Sequence, residues 1–266
     1  MGYLERDGAT IFFEQINPET LPSTESRPVV TLINGHTRSS SDFKLMARQL
    51  VAANLSCLVM DNRASGKSKF SRPFTLEEME EDVVAVWDHL KISSSSVLGI
   101  SMGGFIAQGI AAKHPKRLHH LMLVSTASGP EWINSTDGSW TNSEGKIEAK
   151  LAAYFASGFV ERNKLLFESM VRQTRLAIID GRFEENSKMQ RDALRGYQKN
   201  WQHSDIVAKT MIVHGEEDKI VSVKASKELH QKITGSELVN LPGTGHLILA
   251  ESPKKLYELS VNWFGA

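Results

Sequence analysis

Residues 96–109 read SVLGISMGGFIAQG. An apolar, strand-like run (95–100) stops at Ser101, and helical periodicity begins three residues later. The serine sits inside Gly99-Ile100-Ser101-Met102-Gly103, a G-x-S-x-G pattern in strand–turn–helix context. A sharp turn of this kind lifts a hydroxyl clear of the backbone. It also brings the residues two before and two after the serine together, so both must be small. The helix that follows points its first N–H groups at any negative charge developing near the serine. Ser101 therefore reads as a nucleophile rather than as a capping serine.

Outward from this point, β-branched runs alternate with amphipathic ones. Strands are predicted at 29–34, 55–60, 118–125, 209–215 and 236–241, with helices at 43–50, 75–90, 104–114, 223–233 and 252–264. Thr75 and Glu78 have capping-box spacing, and Ser252-Pro253 reads as a cap followed by proline in the first turn. Strands separated by helices imply crossovers and a mostly parallel sheet with helices on both faces. The opening differs: two extended runs flank Asp7-Gly8, a hairpin signal, so the sheet starts antiparallel and eight strands are expected in all. The segment 129–205 breaks the alternation with a polar loop and then helical periodicity, and is expected to be a helical cap inserted between core parts 1–128 and 206–266.

In an open α/β sheet, ligands gather at the carboxyl ends of strands. A serine hydroxyl needs a base, and the base needs an orienting group. His246, in the glycine-rich loop LPGTGH after the last strand, is the candidate base, and Asp218 in HGEEDKIV is the candidate orienting carboxylate. The neighbouring Glu216 and Glu217 read as solvated loop charge. The chain order Ser101, Asp218, His246 is the one that accompanies a serine on a strand-to-helix turn. A tetrahedral intermediate needs two fixed donors; the amides of Met102 and of His36, after the compact Asn34-Gly35 turn, are the candidates. Asn34, Gly35, Trp132 and Phe155 are candidate substrate-lining residues. The other aromatic residues of the insertion, Trp140 and Tyr154 among them, are expected mainly to pack it.

Composition and the remaining motifs exclude other classes. Lys+Arg and Asp+Glu are both 31, which gives no electrostatic case for nucleic acid or a membrane surface. The run SGKS at 65–68 resembles the end of a phosphate-binding loop, but the glycine that loop needs at position 61 is Asp61. No Cys/His spacing suits zinc, and the chemistry of the three residues asks for no metal or organic cofactor. The single cysteine, Cys57, lies in an apolar run and is expected in the core. The first residues carry charge where a secretory leader needs an apolar block, and no apolar run approaches ~20 residues, so a cytoplasmic protein with no membrane span is expected. A monomer or homodimer is expected.

Four landmarks occur together: Asn34-Gly35, DNRASGKS at 61–68, GISMGG at 99–104, and GEEDKIV with GTGH at 215–221 and 243–246. With them the chain resembles the α/β-hydrolase superfamily over nearly its whole length. It looks most like the small esterase, lactonase and iminopeptidase-like branch. The resemblance implies a serine hydrolase of carboxylic esters acting through an acyl-enzyme, or a lactonase such as a 3-oxoadipate enol-lactonase. A non-catalytic ligand-binding receptor on the same fold is the rival reading. The chain has Asn34-Gly35 and Arg63-Ala64-Ser65-Gly66 where many such proteins have His-Gly and Arg-Gly-His-Gly.

Overall fold

The β-branched runs become strands because both of their faces are covered. The computed structural model describes residues 1–18, 28–133 and 146–265. In chain order it contains β1 (Gly2–Arg6), β2 (Ala9–Ile16), β3 (Val29–Ile33), α1 (Lys44–Ala52), β4 (Ser56–Met60), β5 (Lys69–Phe70), α2 (Leu76–His89), β6 (Ser95–Ile100) and α3 (Met102–Lys113). There follow β7 (Leu118–Val124), α4 (Lys146–Ala152), α5 (Phe159–Arg162), α6 (Lys164–Ile179), α7 (Phe183–Arg195), β8 (Lys209–Gly215), α8 (Val223–Lys232), β9 (Glu237–Leu241), α9 (Ile248–Glu251) and α10 (Pro253–Phe264).

The sheet order is β1-β2-β4-β3-β6-β7-β8-β9. The pairs β1–β2 and β2–β4 are antiparallel, and every pair from β4–β3 to β8–β9 is parallel. The hairpin turn falls at Asp7 (φ 42°) and Gly8 (φ 74°), the left-handed pair that a two-residue hairpin needs. These are the eight strands the sequence predicts, and β5 adds a ninth. It pairs Lys69 and Phe70 with β2 and is too short to show any periodicity.

Every residue of β3, β4 and β6 is buried, as expected of strands covered on both faces. One face carries α2, α3 and α8, with Trp87, Phe105, Ile110 and Leu229 in its core. The other carries α1 and α10, with Leu50, Cys57, Leu256 and Trp263. Helix α3 runs through the middle and is buried continuously from Met102 to Ala111.

Between β7 and β8 the described residues include the four helices α4 to α7. Ile147, Leu151, Phe155, Phe159 and Phe167 build a small core of their own, packed on Leu247 and Ala250. Farther along, Tyr197 and Trp201 leave that core and join the one beneath α2 and α3. There the Tyr197 hydroxyl donates to the buried Glu80 (2.8 Å), which also takes Lys113 Nζ at 2.7 Å. Trp140 and the polar loop at 134–145 lie outside the described residues.

The capping box forms as the spacing predicts: Glu78 N donates to Thr75 Oγ1 (3.2 Å) and Thr75 N donates to Glu78 Oε2 (2.9 Å). Ser252 occupies the cap position of α10 without capping it through its side chain. Its hydroxyl instead meets Thr244 Oγ1 at 3.0 Å, which ties the loop before His246 to the last helix. Replacing Thr75 with alanine removes one reciprocal cap from an exposed helix start. Urea denaturation should show a loss of about 1 kcal/mol with an unchanged m-value.

Candidate active site

Ser101 holds φ 53° and ψ −116°, a conformation that strains any residue with a Cβ. Three bonds fix it: Ser101 N donates to Val124 O (2.9 Å), while Ser101 O accepts from Gly104 N (2.8 Å) and Thr126 Oγ1 (2.9 Å). The turn closes only without side chains on either side. A Cβ on Gly99 would lie 2.3 Å from Gly103 O, and a Cβ on Gly103 would lie 2.3 Å from Ile33 O.

Asp218 and His246 reach this serine from the ends of β8 and β9. His246 Nε2 is 3.1 Å from Ser101 Oγ, and His246 Nδ1 is 2.7 Å from Asp218 Oδ2. Asp218 Oδ1 accepts two backbone bonds, from Ile220 N (2.8 Å) and Val221 N (2.9 Å). Since a carboxylate only accepts, Nδ1 carries the hydrogen and Nε2 is left to accept from the serine hydroxyl. Both partners are buried, Asp218 at 7 % exposure and His246 at 4 %. Burial pushes the Asp218 carboxyl up. The charge of His246 and hydrogen bonds from His214 and His246 outweigh burial and hold it below the usual carboxylate range. Such a chain of bonds can take a proton from Ser101 and return it to a leaving group.

The His246 backbone is held as firmly as its ring. His246 N donates to Tyr154 O (2.8 Å), and His246 O accepts from Ser125 Oγ (2.9 Å). Glu251 accepts from Gly245 N (3.1 Å) and Ala156 N (2.9 Å), so one carboxylate clips the His246 loop to the helical segment. The Tyr154 ring meets the His246 ring edge-on, with centroids 5.6 Å apart. Glu217, read from the sequence as a solvated loop charge, accepts from Ser157 N at 2.8 Å in an exposed bond.

On the opposite side, Gly35 abuts the turn: a Cβ there would lie 3.3 Å from Ser101 Cβ. Met102 is the first residue of α3, so its N–H has no acceptor within the helix. The Asn34 side chain is turned into its own loop. Nδ2 donates to Ser39 O (2.7 Å) and Oδ1 accepts from Gly35 N (2.9 Å), so Asn34 shapes the loop rather than facing a ligand. Phe155 is likewise committed, stacked on Phe159 at 4.9 Å inside the core of the helical segment. Trp132, half-buried, lies in a short turn after β7 and packs against the α2–α3 side of the core.

His36 does something its sequence context does not announce. Its Nε2 donates to Ser187 O (2.8 Å), and Thr37 N donates to Gln190 Oε1 (2.7 Å). Gln190 Nε2 continues to Arg63 O at 2.7 Å. Helix α7 therefore latches onto the loop at 34–38 through Ser187 and Gln190, both fully buried. Among the described residues, no group of three or more His, Cys, Asp or Glu is arranged to hold a metal ion.

A parallel sheet with crossover helices, and a serine at a strained strand-to-helix turn facing a histidine and an aspartate from later loops, define the α/β-hydrolase class. Residues 24–253 match the family described as serine aminopeptidase, S33, and the chain belongs to that family of hydrolases. It is 24% identical to the uncharacterized hydrolase YugF of Bacillus subtilis (strain 168), covering 95% of this chain and 93% of that one. It is 27% identical to a monoacylglycerol lipase of Mycolicibacterium smegmatis, covering 88% and 86%. The solved enol-lactonase of Burkholderia xenovorans LB400 superposes with a TM-score of 0.80 over 100% of both chains at 22% identity. Among the described residues no helix is long and apolar enough to cross a membrane.

Burial pushes the His36 imidazole down to about 4, against a small upward pull from the Ser187 carbonyl; Arg191 and Lys150 add to the lowering. Between about pH 6.5 and pH 4 the unfolded chain therefore binds a proton at this position that the folded chain does not, and stability falls as pH falls through that window. The drop in unfolding free energy from pH 7 to pH 5 should be smaller in His36→Asn by about 1–2 kcal/mol, read from urea titrations at the two pH values.

Proposed function

We propose that the protein hydrolyses carboxylic esters of small to medium size through an acyl-enzyme on Ser101. The observation that carries this reading is the unbroken chain of hydrogen bonds from Asp218 through His246 to Ser101. Ser101 Oγ attacks the ester carbonyl while His246 Nε2 takes its proton. The Asp218 carboxylate stabilises the resulting imidazolium and keeps the ring in the required tautomer. The amides of Met102 and His36 receive the oxyanion. Collapse of the tetrahedral intermediate breaks the bond to the alcohol, which leaves with the proton held on His246. Water then enters, gives a proton to His246 and attacks the acyl carbon, and a second collapse releases the acid and restores Ser101. The three side chains and water balance every step, so no cofactor takes part.

Ester over amide is supported by the relatives named as a monoacylglycerol lipase and an enol-lactonase. A lactone is an ester closed on itself and follows the same steps, with the leaving alcohol still tethered to the acid. We assign selection among substrates to the inserted segment 129–205, acting as a cap beside Ser101.

A fluorophosphonate probe should label the protein at Ser101, and Ser101→Ala should abolish labelling and lower kcat by ~10⁶ on p-nitrophenyl esters. Near-normal turnover by Ser101→Ala would remove the reading, and failure of the native protein to label would favour a binding protein on this fold. A series of p-nitrophenyl esters of rising chain length, run beside several lactones, separates the two ester classes by kcat/KM.

A further inference from the structure

Asp218 is approached by a second histidine. His214, on β8, is fully buried. Its Nε2 lies 2.9 Å from Val221 O and 3.4 Å from Asp218 Oδ2. Both are acceptors, so Nε2 carries a hydrogen; it donates to Val221 O, with Asp218 Oδ2 3.4 Å from the same nitrogen. The other ring nitrogen, Nδ1, is buried and has no hydrogen-bond partner among the described residues. An orphaned buried ring nitrogen costs free energy that an aliphatic side chain of similar size would not. Packing alone therefore does not account for a histidine here.

The geometry around the carboxylate shows what the ring does. Oδ1 is occupied by the amides of Ile220 and Val221. Oδ2 takes His246 Nδ1 at 2.7 Å and has the N–H of His214 Nε2 beside it at 3.4 Å. Each donor to a carboxylate stabilises its negative charge and reduces what that charge gives to any other partner. The Val221 carbonyl contact holds the same ring against the backbone that supplies the amides, so it braces the loop as well.

We propose, on the basis of the ester-hydrolase reading above, that His214 is a positioning residue that fixes the Asp218 loop through Val221 O and sets the basicity of His246 through its N–H placed beside Asp218 Oδ2. Other polar and charged groups surround the pair. Glu217 and Lys219 lie on the same loop, Glu251 comes from α9, Tyr154 from the helical segment and Ser101 from the turn after β6. His214 Nε2 lies 3.4 Å from Oδ2, beside His246 Nδ1 at 2.7 Å.

The test is the pH dependence of kcat/KM on p-nitrophenyl acetate for the native protein, His214→Leu and His214→Gln. Removing the donor concentrates the carboxylate charge on His246, which then holds its proton more tightly. The acidic limb should move up by about 0.5–1 pH unit in His214→Leu. In His214→Gln, whose amide nitrogen reaches close to the position of Nε2, the limb should return to within about 0.2 unit of the native one. An unmoved limb in His214→Leu, with or without a lower kcat, would overturn the proposal and leave His214 a packing residue.

Should His214→Leu not fold, the native protein labelled with ¹⁵N-histidine gives the answer. His214 should carry its hydrogen on Nε2, and that resonance should shift across the pH range in which His246 titrates. An Nδ1–H tautomer, or a His214 signal indifferent to that titration, would overturn the proposal. Ser101→Ala separates the two levels: full turnover in that variant removes the serine-hydrolase reading itself. An unmoved limb in a protein that Ser101→Ala inactivates removes only the role of His214.

Discussion

The close approach of Gly103 to the end of β3 governs the rest of the site. With 2.3 Å between a hypothetical Cβ and Ile33 O, the start of α3 is pressed against the neighbouring strand as tightly as two backbones allow. That contact forces the chain to turn within one residue after β6, and the residue at the turn is Ser101, held at positive φ. The same compression sets Gly35 against the Ser101 Cβ, so the loop after β3 and the turn after β6 are two sides of one contact. A strained conformation persists only where its surroundings over-determine it. Here Val124 O, Gly104 N and Thr126 Oγ1 supply that determination from two other segments.

Asp218 and His246 meet the serine through a different kind of support. Their loops are long enough to wander, and backbone bonds rather than sterics hold them. The Asp218 carboxylate folds back on the amides of its own loop, and the His246 main chain is bonded to Tyr154 and Ser125. Glu251 sits behind both the histidine loop and residue 156. Burial pushes its carboxyl up, an effect that the backbone donors at Ala156, Gly245 and Leu247 oppose and that Asp218 reinforces. The site is thus a rigid turn faced by two loops whose positions are set by one buried carboxylate, Asp218, and one half-buried, Glu251.

What was legible in the sequence is what local chemistry determines. The alternation of apolar runs gives the strands, Asp7-Gly8 the hairpin, Thr75 and Glu78 the capping box, and the small residues around Ser101 the turn. The loops after successive strands could be ranked because a parallel sheet brings their ends together. The structure's other determinants join residues far apart in the chain. Ser187 meets His36 across 151 positions, and Tyr197 meets Glu80 across 117. Neither pair has a spacing that marks it. Ser187 and Gln190 look like ordinary polar positions on an amphipathic helix, and only the fold shows them buried. Phe155 is the reverse case. An aromatic in the insertion suggests a pocket wall, and the structure shows this ring packed on two other phenylalanines.

The latch between α7 and the loop at 34–38 couples two properties that are usually thought of separately. The helix belongs to the part of the chain expected to discriminate among substrates, while the loop lies beside the reacting oxygen. Because Gln190 spans from Thr37 to Arg63, a change that tilts α7 also displaces the loop at 34–38, which on the proposed mechanism receives the oxyanion. On that mechanism selectivity and turnover are not independent dials. A graft of this helical region from a relative would inherit the donor's preference only if it also brought a serine and a glutamine able to grip the loop beneath.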